Sequence, residues 1–202
     1  SLRWFAGMGV LLGGPVAAGV LHWTIPPGPI AIMGAAILAY NLAFDRALRQ
    51  LCAEDPDATA RFEGFVRVQV ILDWIALAVL IALTGGAESP TVLFFLFHIT
   101  IASLLLPEHL GFGFVSLAPA MVVGVAALEY AGWLPHVMIA SPARYRDPRF
   151  VFASVGAFCF ACYGMAYCCQ SIARRLRRRE SELSGLYEGV RDITSSLEIM
   201  EV

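Results

Sequence analysis

The chain has 202 residues, of which 58% are hydrophobic and 15% charged, against roughly 25% charged in a typical soluble domain. A spanning helix needs about 20 apolar residues, so six would use roughly 120 and leave about 80 for connections and one polar extension; this excludes a soluble globular enzyme. With 14 Lys+Arg against 16 Asp+Glu the formal net charge is -2, so no overall basic field invites nucleic acid.

The first apolar run, Trp4 to Trp23, ends at the breaker Ile25-Pro26-Pro27-Gly28-Pro29, and a second runs from Ile30 to about Phe44. Asp45 to Arg67 is charged, with Asp55-Pro56 as a break and Asp57 as an N-cap candidate for the helix entering a third span, Val66 to Leu83. Thr84-Gly85-Gly86-Ala87-Glu88-Ser89-Pro90 is a turn. Thr91 to Leu106 makes a fourth span, Pro107 to Gly111 a connection, Gly113 to Trp133 a fifth span, Pro135 to Arg149 a longer loop, and Phe150 to Ile172 a sixth. The expected fold is all-α: a six-helix transmembrane domain over residues 1–172, then a cytoplasmic helix over 173–202. Cys52, Cys159, Cys162, Cys168 and Cys169 form an odd set, four of them in one apolar stretch, which argues against an extracellular disulfide framework. The sequence starts at Ser1 without Met, and its first run lacks an A-x-A cleavage pattern; it reads as a piece of a longer chain without a secretory signal.

Arginine near the span ends sets orientation. Arg3, Arg46, Arg49, Arg61, Arg67 and the cluster Arg174, Arg175, Arg177, Arg178 and Arg179 fall on one side, against Arg144, Arg146 and Arg149 on the other. Both termini are expected in the cytoplasm, in a multi-pass protein of a bacterial inner membrane. Beyond the sixth span, Ile172, Leu176, Leu183, Leu186, Val190, Ile193, Leu197 and Met200 follow at alternating steps of four and three if Arg179 fills one position. Such a seam calls for a partner helix, and copies leaving the same membrane run parallel, so a homodimeric coiled coil and a signal relay are expected. A single amphipathic helix on the membrane is the plainer alternative.

Ionisable groups inside the bilayer need a partner or a task. Asp73 lies roughly 16 Å, and His98 roughly 12 Å, from the same end of adjacent spans at 1.5 Å per residue, so the two are expected to meet. His22, His98, Glu129 and His136 could gather near the outer leaflet, although Glu129 and His136 could equally be solvated there. Three readings compete. His98 could donate to a quinone carbonyl between walls of Trp74, Phe94, Phe95 and Phe97; the histidines could ligate a b-type haem, copper or zinc; or Asp73 and His98 could simply satisfy each other. Cys159 and Cys162, three apart, share a helix face; a redox or metal role is open to them, and small residues that permit close packing are the plainer reading. Covalent haem attachment is excluded by the absence of C-x-x-C-H, and no catalytic motif is present.

Leu2-Arg3-Trp4 and the loop Gly85-Gly86-Ala87-Glu88-Ser89-Pro90-Thr91 resemble the six-helix sensor module of the RegB/PrrB type of redox-responsive histidine kinase. In that family the loop reads G-G-x-x-N-P-F and is associated with quinone binding; Ser89 and Thr91 depart from it. The resemblance implies a ligand role for Gly85, Gly86, Ser89 and Pro90. Leu186 to Glu198 resembles the helix that leads into a GAF domain, which implies a GAF domain and then a histidine kinase or a diguanylate cyclase as partners in the same chain. A membrane haem or quinone oxidoreductase subunit and a transporter are the rival classes.

Overall fold

The computed structural model describes residues 2–20, 22–54, 59–105, 113–139 and 144–200, with side chains described at 3–20, 22–50, 64–104, 113–139, 144–179 and 181–187. Among the described residues the regular structure is all helical, without strands. The helices are α1 (Leu2–Gly19), α2 (Pro27–Glu54), α3 (Thr59–Leu83), α4 (Phe94–Leu105), α5 (Leu117–Tyr130) and α6 (Pro148–Met200), with two 3₁₀ turns, Gly86–Glu88 and Pro90–Leu93, between α3 and α4. Four stretches are long and apolar enough to cross a membrane: Pro27–Gln50, Gly64–Leu83, Gly113–Tyr130 and Pro148–Tyr187; Pro90–Leu104 is apolar but shorter. The protein is therefore a multi-pass membrane protein.

Several boundaries differ from expectation for local reasons. α1 closes at Gly19, residues 22–26 form an irregular segment with His22 in the left-handed region, and α2 starts on Pro27, a residue preset for the first helical turn. The charges from Asp45 onward do not end α2, which runs on to Glu54; an Asp45–Arg49 ion pair one turn apart at 3.0 Å supports that part of the helix. Asp57, expected as an N-cap, lies outside the described residues, as do the 107–111 connection and His109.

α1 and α2 form a tight antiparallel pair. A Cβ at Gly34 would run into the backbone of Leu11, and one at Gly14 would strike Ile30, so small residues let these helices approach where dispersion and not the hydrophobic effect must hold them. The core centres on α3: Trp74, Ile81, Phe95, Ile99, Ala118, Cys162 and Ala166 are fully buried. Trp74 meets Phe95 at 6.2 Å and Phe114 at 5.4 Å, and Phe95 meets Phe158 on α6 at 6.0 Å. The Cys159 and Cys162 thiols are free, with Cys162 buried among these groups.

α6 runs as one helix for 53 residues, about 80 Å at 1.5 Å per residue. Ile172, Leu176, Leu183 and Leu186 are all exposed, at 56–68%. The side chains of Val190, Ile193, Leu197 and Met200 lie outside the described residues.

Candidate functional site

Two carboxylates, a partly buried Asp73 and a fully buried Glu129, organise the polar interior. Asp73 does not reach His98. Successive helical residues point about 100° apart, and with Trp74 turned toward α4 and α5, Asp73 is turned toward α1 and α2. There the Tyr40 hydroxyl donates to its Oδ1 at 2.7 Å, and Arg3 Nη2 lies 3.0 Å from its Oδ2. The triad ties three helices together, and Arg3 thereby does more than anchor topology.

His98 bonds within its own helix, Nδ1 standing 2.9 Å from the Phe94 carbonyl. A carbonyl only accepts, so Nδ1 carries the proton and neutral His98 presents Nε2 as an acceptor. Donation to a quinone carbonyl, as expected from sequence, would require a charged ring. Nor do the expected walls enclose it: Phe94 and Phe97 are exposed, while Trp74 is buried on the α4–α5 side.

Glu129, on α5, is 1% exposed and not solvated. The turn that follows α3 wraps it. The Ala87 N–H donates to Oε2 at 3.1 Å, and His136 Nδ1–H donates to Oε1 at 3.1 Å. Gly86 has φ 55, and a Cβ there would overlap the carboxylate itself. Glycine is required twice over, for the left-handed backbone and for the space. The same turn carries three hydroxyls: Thr84 donates to the Leu80 carbonyl at 2.7 Å, Ser89 lies 2.6 Å from Thr84 and from Thr91, and Ser89 Oγ accepts from the Thr91 N–H at 3.2 Å. Ser89 is thus a cap, with Pro90 opening the following 3₁₀ turn.

The loop after α5 closes over this end. His136 stacks on Tyr145 with ring centroids 4.0 Å apart. The Arg144 N–H donates to Glu88, and the Thr24 hydroxyl donates to the Met138 carbonyl. The His136 side chain is 6% exposed, and its Nε2 has no partner among the described residues. Chemically this is a buried carboxylate–imidazole pair clasped by backbone, able to hold or exchange a proton.

The expected histidine cluster separates. His22 is exposed, with φ 55, on the segment between α1 and α2; His98 is bound to its own helix; only Glu129 and His136 meet. Among the described residues no three His, Cys, Asp or Glu side chains could hold a metal ion. Of the expected ligand set, Gly85, Gly86, Ser89 and Pro90 belong to the turn around Glu129, whereas Asp73, Trp74, Phe94 and His98 point to different neighbours. Sequence reasoning did not single out Tyr40, Thr84, Ala87 or Tyr145 for the site. Thr84 and Ser89-Pro90, hydroxyls bracketing a glycine pair, were a readable capping signal; Tyr145, in an irregular loop, had none.

Against known proteins, residues 28–183, about three quarters of the chain, match a family described as PilS-like transmembrane domain. The chain belongs to this family. The matched region of this PilS-like transmembrane domain runs from the start of α2 to Leu183, taking in both the Glu129 site and the first part of the α6 extension. No curated protein and no solved structure matches it significantly.

Proposed function

We propose that this PilS-like domain is the membrane-embedded input module of a bacterial sensor histidine kinase, crossing the membrane six times, working as a homodimer and having no catalytic activity of its own. The observation that carries the reading is α6: a single helix leaves the packed bundle and continues as an exposed rod with Ile172, Leu176, Leu183 and Leu186 at coiled-coil spacing. A rod joined directly to a core helix passes a shift or rotation of that helix onward, toward the GAF and kinase domains expected to follow. α1 and the Pro90–Leu104 segment supply the two crossings beyond the four long ones; both are strongly apolar, and Arg3 and the exposed Arg175, Arg177, Arg178 and Arg179 set both termini in the cytoplasm.

The stimulus enters at the opposite end, where the Glu129–His136 pair joins the α3–α4 turn to α5 and the loop leading into α6. A ligand or proton that loosened this clasp would act on the element feeding the relay helix. A lipid-soluble redox ligand is the form of stimulus that the Gly85-Gly86 loop resemblance favours; at His98 it would be a hydroxyl-bearing quinol, which Nε2 can accept from.

Cysteine placed singly at Leu183, Leu186 and the off-seam position Glu182, in a chain stripped of its own cysteines, tests the reading in membranes. Intersubunit crosslinks at Leu183 and Leu186 but not at Glu182 are expected. Uniform or absent crosslinking overturns the dimeric relay.

A further inference from the structure

At the end of the bundle opposite the Gly85-Gly86 turn, the beginnings of α1 and α3 and the second half of α2 enclose a cavity of about 240 Å³, lined by Arg3, Trp4, Asn41, Phe44, Asp45, Leu48, Phe65 and Gln69. It lies where the apolar Gly64–Leu83 stretch begins, at the boundary between hydrocarbon and headgroups. Three features define what would fit. Asn41 is 5% exposed; its Nδ2 donates to the Arg3 carbonyl at 3.5 Å, and its Oδ1 is a buried acceptor without a partner among the described residues. A buried polar atom left unpaired is costly, which makes a ligand that donates to it favoured. The walls are aromatic, with Phe44 and Phe65 edge to face at 4.8 Å and Trp4 beside them, and ring faces attract a cation. The charges are of both signs: Arg3, which gives one guanidinium nitrogen to Asp73, and Asp45, whose Oδ2 is held by Arg49.

We infer that this cavity binds the headgroup of phosphatidylethanolamine, with the ammonium donating to Asn41 Oδ1 between the aromatic rings and Asp45, and the phosphate facing Arg3. A phosphatidylglycerol headgroup would bring the same phosphate to Arg3 but no ammonium for the aromatic rings and Asp45, and a choline headgroup carries no N–H for Asn41. The lipid would brace α1, α2 and α3 at the end where Arg3 and Tyr40 hold Asp73.

The test is native mass spectrometry of the full chain released from detergent with phosphatidylethanolamine, its mono-, di- and trimethylated forms, phosphatidylglycerol, or soluble glycerophosphoethanolamine. Retention is expected to fall on full methylation by about fivefold, the ratio one hydrogen bond supports, with the soluble headgroup failing to compete. Asn41→Leu should bring the ethanolamine lipid down to the choline level. Equal retention of the unmethylated and trimethylated lipids on the unsubstituted chain overturns the inference without relying on any variant. So does preference for phosphatidylglycerol, and effective competition by the soluble headgroup would show that the site reads a solute and not a membrane lipid. The readout is bound lipid alone, so its failure leaves the sensory reading standing, and absence of crosslinks at Leu183 leaves this one standing.

Discussion

Asp73 and Glu129 are carboxylates of the same chemistry inside the same apolar bundle, yet they are satisfied in opposite ways. Asp73 is held by side chains, a phenol and a guanidinium that is 31% exposed. Glu129 is held by a backbone N–H and an imidazole that is 6% exposed, in a space that only glycine leaves open. A long side chain can follow its partner or swing to water and headgroups; a backbone turn cannot. The first carboxylate makes an adjustable tie among α1, α2 and α3, while the second makes a fixed clasp between the α3–α4 turn and α5.

The largest expected effect therefore falls on the clasp. Gly86→Ala forces a methyl group into the Glu129 carboxylate and a left-handed φ onto a residue with a Cβ, and should destabilise the domain by at least about 3 kcal/mol, read as the midpoint shift in SDS unfolding from mixed micelles. A shift below 1 kcal/mol would show the turn to be as adjustable as the Arg3–Asp73 tie. Next, Glu129→Leu leaves the Ala87 N–H and His136 Nδ1 unpaired and should cost about 2–3 kcal/mol, against about 1 kcal/mol for Glu129→Gln, which still accepts from Ala87. Asp73→Leu should cost less than Glu129→Leu, about 1–2 kcal/mol, because Arg3 can turn outward. If the order of the two leucine variants reversed, the contrast between fixed and adjustable would be wrong. Tyr40→Phe removes one hydrogen bond of two on Asp73, and about 1 kcal/mol is expected in the same assay.

The contrast also marks how far the sequence could be read. Apolar runs and Pro/Gly breakers located the helices, because burial in lipid demands both length and internal hydrogen bonding. Partnership inside the bundle was another matter. Equal depth made Asp73 and His98 look like neighbours, but depth ignores rotation about the helix axis, and the one-residue step from Trp74 to Asp73 sends the carboxylate to different helices. Glu129 and His136 were singled out, but as interfacial residues that water could satisfy. What buries them is the loop of residues 131–139 and 144–147 folding back over the Gly85-Gly86 turn, and such a loop has no periodicity to read. Gly86 was legible as a turn former; that its missing Cβ makes room for a carboxylate from α5 was not.

The smallest effect should come from His98, the residue that sequence made most prominent. Its Nδ1–H closes on the Phe94 carbonyl of its own helix, next to the exposed rings of Phe94 and Phe97, so His98→Leu breaks no tie between elements. Leucine in its place also suits a lipid-facing site. The midpoint in SDS unfolding should stay within about 0.5 kcal/mol of the parent. Because the fold is unaffected, the variant becomes a clean probe: any loss of quinol binding would belong to Nε2 as an acceptor and not to collapse of the bundle. A cost above 1 kcal/mol, by contrast, would place His98 against a neighbour supplied from outside this chain and move it from the lipid face into the set of residues that join elements, alongside Asp73 and Glu129.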